Sequence, residues 1–313
     1  MTSIIIVNHN TSGILKDCIE SILKFENQSE FEVIIIDNAS SDDSIKVISE
    51  LQSKHQNVKT VILNEQKNFS YANNRGIVVS NGEFVLIMNP DIFFTEPLLN
   101  KLTQKFSEHE NLGAISPSLL GTNGKFQRNY FQRYPTVLQF IFFQSLFAKL
   151  FFRFPKLMNR YLENHDIDVS TKKYFAVEQT PCAFFLTTRR ILDQIGLLDE
   201  DYPLFFEDVD LSYRIHNNYK LLVDTSLAVT HLGGESFKSK DKWRMYGNFI
   251  LSMNIFFDKH RNIIRRILLK YFSITNSIWI ITIEYLKKIF GALDNHRMKK
   301  HKHFLKLFWE YYF

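Results

Sequence analysis

Ser3-Ile4-Ile5-Ile6-Val7-Asn8-His9-Asn10 begins with a β-branched run and stops abruptly at three polar residues. A continuous apolar run of this length, without alternation, reads as a strand buried on both faces. Working outward, Phe31–Ile36, Val58–Leu63 and Phe84–Met88 repeat the pattern. Between them Ile14, Leu15, Cys18, Ile19, Ile22 and Leu23, and then Ile45, Ile48 and Leu51, keep a helical period. Ser12 is the expected N-cap of the first helix and Ser40 or Ser41 that of the second. Strands alternating with helices predict a parallel sheet with right-handed crossovers, whose ligands bind beyond the carboxyl ends of the strands.

Those ends are polar in every case: Asn8-His9-Asn10, Asp37-Asn38, Asn64-Glu65 and Asn89-Pro90-Asp91. Turns favour Asn and Asp by themselves, but four such ends on one sheet edge predict a site. Neither GxGxxG after the first strand nor GxxxxGK[ST] anywhere occurs, which disfavours a dinucleotide dehydrogenase and a P-loop NTPase. A nucleotide is still accommodated if Asp37 accepts from a base or ribose and Asn side chains read amide-like edges.

Composition bounds the rest. The 313 residues are 45% hydrophobic, with no linker-like stretch and no internal repeat, so a large folded core is expected. Cys18 and Cys182 are the only cysteines, which speaks against a disulfide framework or a cysteine metal site and for a reducing compartment. Met1 runs straight into the first strand without a basic n-region, so a buried strand is expected there and not a signal peptide. The net charge of +5 conceals an asymmetry: from Lys238 onward 16 Lys and Arg stand against 5 Asp and Glu. A basic, aromatic-rich tail suits an anionic membrane surface; nucleic acid is not expected, because no binding motif accompanies the charge.

In the second half Cys182–Thr187 reads as a strand and Arg189–Ile195 as a short helix. Acidic residues follow at Asp199-Glu200-Asp201 and at Phe206-Glu207-Asp208-Val209-Asp210. Leu211, Ile215 and the i,i+4 pair Asp210/Arg214 predict a helix beginning near Glu207, where carboxylates also complement the macrodipole.

Taken in order, six segments resemble family 2 glycosyltransferases of the GT-A fold, and among them the bacterial rhamnosyltransferase-like branch. They are Ser3–Asn10, Val33–Asp42, Ala72–Ile77, Met88–Ile92, Phe205–Arg214 and His231–Ser236. The resemblance covers roughly Ser3 to Ser236. It implies an α/β, GT-A (nucleotide-diphospho-sugar transferase) fold: a mostly parallel, Rossmann-like sheet flanked by helices, with a C-terminal helical extension. The implied domains are a catalytic domain over 1-237, split into a nucleotide-binding half (1-110) and an acceptor-binding half (111-237), and a basic helical extension over 238-313.

The resemblance also assigns roles. Asn89-Pro90-Asp91 matches the family's aspartate-x-aspartate element, with Asn89 replacing the first carboxylate, so Asp91 is the expected metal contact. His231 matches a further metal ligand, and Mg2+ or Mn2+ is the implied cofactor. Asp208 matches the catalytic base of inverting transfer, and Glu207 an orienting partner. Asp37 and Asn38 match positions that read base and ribose, Asn74 and Arg75 a segment beside the nucleotide, and Asn8, Asn10 and Asn89 complete the expected nucleotide-binding set. Gly233-Gly234 would let the backbone pass close to the diphosphate. Two departures concern the donor: Asn68 stands where relatives carry glycine, and Thr180-Pro181-Cys182-Ala183 where they carry a Gly-Ala-like stretch.

The implied reaction is transfer of a sugar, best rhamnose from dTDP-rhamnose, to a saccharide acceptor, often lipid-linked, in O-antigen or capsule synthesis. UDP-galactofuranose, UDP-galactose and UDP-N-acetylglucosamine are alternative donors, and a non-catalytic scaffolding subunit is the alternative of another class. Tyr134–Ala148, Tyr271–Ile283 and Arg297–Phe313 combine aromatic residues with basic flanks. They predict peripheral attachment to the inner face of the cell membrane, the alternative being burial against the catalytic domain or a second subunit of a homo-oligomer. The acidic cluster Glu163, Asp166 and Asp168 reads as a solvated loop.

Overall fold

The computed structural model describes residues 1–162, 167, 173–233 and 242–313; the acidic cluster Glu163, Asp166 and Asp168 lies outside them. The chain begins as strictly alternating elements: β1 (Thr2–Asn8), α1 (Ser12–Phe25), β2 (Phe31–Asn38), α2 (Ser44–Lys54), β3 (Val58–Leu63), α3 (Phe69–Val79) and β4 (Phe84–Met88). Then follow β5 (Ile92–Phe94), α4 (Leu99–Glu108), β6 (Leu112–Leu120), a 3-10 turn (Arg128–Tyr130) and three short helices, α5 (Val137–Phe143), α6 (Ala148–Phe151) and α7 (Pro155–Tyr161). β7 (Tyr174–Ala176), β8 (Phe184–Thr188), α8 (Arg189–Ile195), α9 (Glu207–His216) and β9 (Lys220–His231) precede three long helices, α10 (Lys242–His260), α11 (Ile263–Ile289) and α12 (Asn295–Tyr312).

The sheet runs β3-β2-β1-β4-β8-β6-β9-β5, with β7 on β9. It is parallel from β3 to β4, as the alternation predicts. Beyond β4 it is mixed: β8 enters antiparallel between β4 and β6, while β6 and β9 pair parallel. Ile4, Ile5 and Ile6 are all fully buried, because helices cover both faces of a parallel sheet. Each contributes about 1.5–3 kcal/mol of burial. Gly76 lets α3 lie on this sheet: a Cβ there would stand 2.5 Å from Ile36 Cδ1 and 2.6 Å from Ile5 Cγ2.

The expected caps are corrected. Thr11 occupies the N-cap position of α1 and Asp43 that of α2, and neither side chain caps. Asp42 instead accepts from Ser12 N at 3.1 Å and Ser44 N at 3.0 Å, so one carboxylate serves both helix starts. Ser40 and Ser41 are engaged by Asn8 and Asn10.

The chain forms two compact units. One, Met1–Gln132, Asn164–Glu200 and Glu207–Lys238, holds the sheet. The other, Arg133–Glu163, Asp201–Phe206 and Ser239–Phe313, holds α5–α7 and α10–α12. Within the helical unit the buried Glu284 of α11 accepts from Lys287 Nζ (2.9 Å), Arg297 Nη1 (3.2 Å) and Asp294 N (3.0 Å), tying the end of α11 to the start of α12. The buried face of α11 is Leu269, Ser273, Ser277, Ile280 and Glu284. Its exposed face carries Ile264, Ile267, Tyr271, Ile278, Trp279 and Ile289. This helix is therefore apolar outside and largely polar inside, the reverse of a surface helix of a globular protein. Among the described residues no helix is long and apolar enough to cross a membrane.

Candidate functional site

The carboxyl ends of β1 and β2 form one hydrogen-bonded cluster. Asn8, fully buried, donates through Nδ2 to Asp37 Oδ1 (2.9 Å) and Ser40 Oγ (3.2 Å), while its Oδ1 accepts from Thr11 Oγ1 (2.7 Å). Asp37 Oδ2 accepts from Ser40 N (2.9 Å). Asn10, at φ 54°, accepts from Ser41 N (2.7 Å), and Nδ2 contacts His9 Nε2 at 3.2 Å. Asn38 clasps the Lys67 backbone in both directions, Nδ2 to Lys67 O at 2.9 Å and Oδ1 from Lys67 N at 2.8 Å.

On α3, Asn74 donates to Leu198 O and Glu200 Oε1, each at 2.8 Å, and accepts from Leu198 N (3.1 Å). Arg75 is exposed, 3.8 Å from Glu200 Oε1, with its guanidinium over the Tyr71 ring at 4.7 Å. Asn68 caps α3 by accepting from Tyr71 N at 2.8 Å and donates to Glu200 O at 2.6 Å. A glycine there has no side chain to make either bond.

The ends of β4 and β9 differ. β5 and β9 pair with Ile92 opposite His231, which brings the buried Asp91 and the fully buried His231 together. Asp91 Oδ2 accepts from Gly233 N at 3.1 Å, and Oδ1 lies 3.4 Å from His231 Nε2. Gln127 donates Nε2 to His231 O (3.0 Å), which turns its Oε1 to His231 Nδ1 (2.7 Å) and places the ring proton on Nδ1. Nε2 is thus left as a lone pair without a hydrogen-bond partner, facing a carboxylate oxygen. Tyr130 packs edge-on against this imidazole at 4.7 Å, and its phenol is pushed up by burial and by Asp91. Gly233, at φ 73°, passes where a Cβ would stand 3.3 Å from the Tyr130 hydroxyl.

Two buried acceptors aimed at each other repel unless a proton or cation lies between them. An imidazole nitrogen and a carboxylate oxygen suit a divalent cation of the Mn2+ or Mg2+ kind, and the pair fits that cofactor. Among the described residues no group of three or more His, Cys, Asp or Glu is placed to hold an ion.

The third part of this edge is the start of α9. β4 and β8 pair with Met88 opposite Phe184, and Asn89 N donates to Ala183 O (3.1 Å). The neighbouring Cys182 and the Val209 amides both donate to Asp208, Val209 N at 2.8 Å from Oδ1. Ser212, one turn further along α9, holds Thr180 by accepting from its N at 3.0 Å. Asp210 pairs with Arg214 at 2.7 Å, and Arg214 reaches the carbonyls of Ile195 and Leu197, so that pair is structural.

Burial, followed by the charge of Asp208, pushes the Glu207 carboxyl up to about 8. Asp208 is also raised by burial, but backbone amides favour its charged form. Two adjacent carboxyls that cannot both ionise share a proton, and the backbone amides at Asp208 favour Glu207 as its carrier. Phe205 and Phe206, immediately before this pair, take φ 66° and 71°, a left-handed conformation costing bulky residues about 1–3 kcal/mol each.

Gln127 and Tyr130 were not singled out by sequence, and Glu200 and Ser212, though they lie in quoted stretches, were given no role. Only long-range pairing brings them to the site. Asn89 leaves its side chain without a hydrogen bond among the described residues.

The model of the family "Glycosyl transferase family 2" matches residues 3–171. A dolichyl N-acetyl-alpha-D-glucosaminyl phosphate diacetamido-dideoxy-glucuronosyltransferase of Methanococcus voltae is 31% identical over 125 residues, 39% of this chain and 38% of that protein. The uncharacterized glycosyltransferase YfnE of Bacillus subtilis is 25% identical over 244 residues, 68% of this chain and 60% of that protein. The matches thus span under two thirds of these relatives. Among solved structures, a Pyrobaculum calidifontis mannosyltransferase in complex with GDP-Man and Mn2+ aligns with TM-score 0.54 and 12% identity over 97% of this chain and 84% of that one. S. aureus TarS 1-349 in complex with UDP-GlcNAc aligns with TM-score 0.53 and 15% identity over 99% and 91%. The structural likenesses establish the GT-A fold, and the family match, covering more than half of the sequence, establishes that the chain belongs to glycosyl transferase family 2.

Proposed function

We propose that this chain is an inverting glycosyltransferase that moves a sugar from a nucleoside diphosphate to a saccharide hydroxyl. The observation that carries the reading is the buried Asp91–His231 pair, whose unpartnered Nε2 faces a carboxylate oxygen on the carboxyl edge of the sheet. Asp91 and His231 would hold a divalent cation, which when bound offsets the charge gathering on the departing diphosphate. Asp37 accepts from the base or ribose, Asn8 and Asn10 hold its loop, and Asn38 and Asn74 fix the segments beside it, with Arg75 at the rim. Asn89, with its side chain unengaged, reaches the donor. Residues 1-110 supply this nucleotide half.

Asp208 takes the proton of the acceptor hydroxyl as that oxygen attacks the anomeric carbon. The bond from that carbon to the diphosphate oxygen breaks on the opposite face, and the nucleoside diphosphate leaves with the electron pair. One displacement inverts the centre. Glu207, protonated, donates a hydrogen bond and does not compete as a base.

dTDP-rhamnose is the first donor to try, on the Asn89-Pro90-Asp91 resemblance, with a surface polysaccharide precursor as acceptor. UDP-galactofuranose, UDP-galactose and UDP-N-acetylglucosamine are the alternatives. We place the protein peripherally on the inner face of the cell membrane. The apolar outer face of α11, about 40 Å long, with Arg265 near its start and Lys288 near its end, complements an anionic leaflet. Ile278→Asp with Ile289→Asp should abolish sedimentation with anionic vesicles; unchanged sedimentation would remove the membrane assignment.

The test of the reaction is transfer by wild type and Asp208→Asn across these donors. Wild type should turn over one of them, and Asp208→Asn should lose about 10²–10⁴-fold in rate while binding the nucleoside diphosphate as before. Nucleotide binding without turnover of any donor would favour the scaffolding alternative.

A further inference from the structure

α10 and α12 approach closely within the helical unit because of Gly247: a Cβ there would stand 2.8 Å from His303 Cδ2 and 3.1 Å from Phe304 N. Beside that approach lies a cleft of about 650 Å³. Arg244 of α10 lines it from one side, and Lys299, Lys302 and Lys306 of α12 from the other. The three lysines follow at i, i+3 and i+7, so one helix face presents all of them. Trp243 forms an apolar wall, with the Arg244 guanidinium over its ring at 5.1 Å and the His303 ring edge-on at 5.1 Å.

No carboxylate lines the cleft among the described residues. Glu310 stands outside it, 3.5 Å from Lys306. Lys302 donates to the Tyr285 hydroxyl at 2.7 Å, and no ion pair of Lys299 is seen among the described residues. The fold thus gathers three lysines along one wall of this space, with Arg244 on the other. Burial, then Arg244 and Lys306, holds the His303 imidazole below its ordinary range. Convergent cations repel one another, and an anion between them removes that cost.

We propose that this cleft is a second binding site, for a phosphate or diphosphate ester. The cations supply several charge-assisted donors to phosphate oxygens, the volume exceeds what one phosphate needs and falls within the range of small-molecule sites, and the indole accepts the apolar part of the ester. The assignment does not depend on the transfer reaction. An anionic lipid headgroup and a free phosphate ester share this chemistry.

The test is calorimetric titration of the full chain with inorganic pyrophosphate in EDTA, alongside sedimentation with phosphatidylcholine vesicles with and without phosphatidylglycerol. Lys299→Gln with Lys306→Gln should weaken pyrophosphate binding about tenfold or more, as loss of two charge-assisted contacts implies. The control Lys46→Gln with Lys54→Gln, on exposed positions of α2, should leave it unchanged. If the cleft variant also loses binding to the phosphatidylglycerol vesicles, and pyrophosphate competes, the ligand is a headgroup. If only pyrophosphate binding falls, it is a free ester. Pyrophosphate affinity unchanged in the cleft variant, or lowered equally in the control, overturns the site.

Discussion

Two neighbouring parts of one sheet edge treat their polar groups in opposite ways. At the ends of β1 and β2, Asn8, Asp37 and Asn38 are paired with the protein itself, and Asn74 on α3 is likewise paired at both ends of its amide. At the ends of β4 and β9, Asp91 and His231 are as deeply buried, yet the Nε2 lone pair points at an oxygen without a hydrogen between them. Buried polar groups are ordinarily satisfied. The first arrangement gains stability from its bonds and holds a shape; the second leaves a buried acceptor pair unsatisfied, and in our proposal a cation would lie there.

That contrast can be broken by experiment. The largest effect is expected at Asp91→Ala, which should erase the Mn2+-dependent part of nucleoside diphosphate affinity while leaving the denaturation midpoint nearly unchanged, since removal of the facing acceptor offsets loss of the Gly233 N bond. A lowered midpoint with metal dependence intact would reverse the assignment. Next comes Gln127→Ala, which frees the imidazole to rotate and exchange tautomers; metal affinity should fall about 10–100-fold, as read by Mn2+ titration.

Asn74→Ala tests the other region. It leaves Leu198 N and Leu198 O unpaired, so unfolding free energy should drop about 1–3 kcal/mol in a urea titration, with metal dependence retained. A further effect is a slope. Burial pushes Glu207 up to about 8 in the folded protein from an ordinary 4.5, so between these values the unfolded chain releases a proton that the folded chain keeps. Stability contributed by Glu207 is therefore complete below about 4.5 and declines as pH rises to about 8. Glu207→Gln should flatten that decline in denaturation midpoints measured across the window.

The first half of the sheet was legible because its strands are uninterrupted β-branched runs buried on both faces, with the period between them switching to that of a helix. The short helix Arg189–Ile195 and the helix start at Glu207 were legible from apolar spacing and clustered carboxylates. The antiparallel insertion of β8 between β4 and β6 was not, since strand order depends on partners far apart in sequence. The cap assignments failed because Ser40 and Ser41 are engaged by Asn8 and Asn10 through contacts about thirty residues long. Of the site, the strand-end polar groups and the acidic pair could be read locally. Gln127, which sets the His231 tautomer, could not, because an isolated Gln carries no pattern and its partner lies 104 residues away.

The most direct test of the central claim is Mn2+ titration of the chain with dTDP or UDP present, for wild type and His231→Ala. The ion and one nucleotide should bind cooperatively to wild type, and His231→Ala should lose this cooperativity without losing its fold. Nucleotide binding indifferent to Mn2+ in wild type, or unaltered cooperativity in His231→Ala, would contradict it.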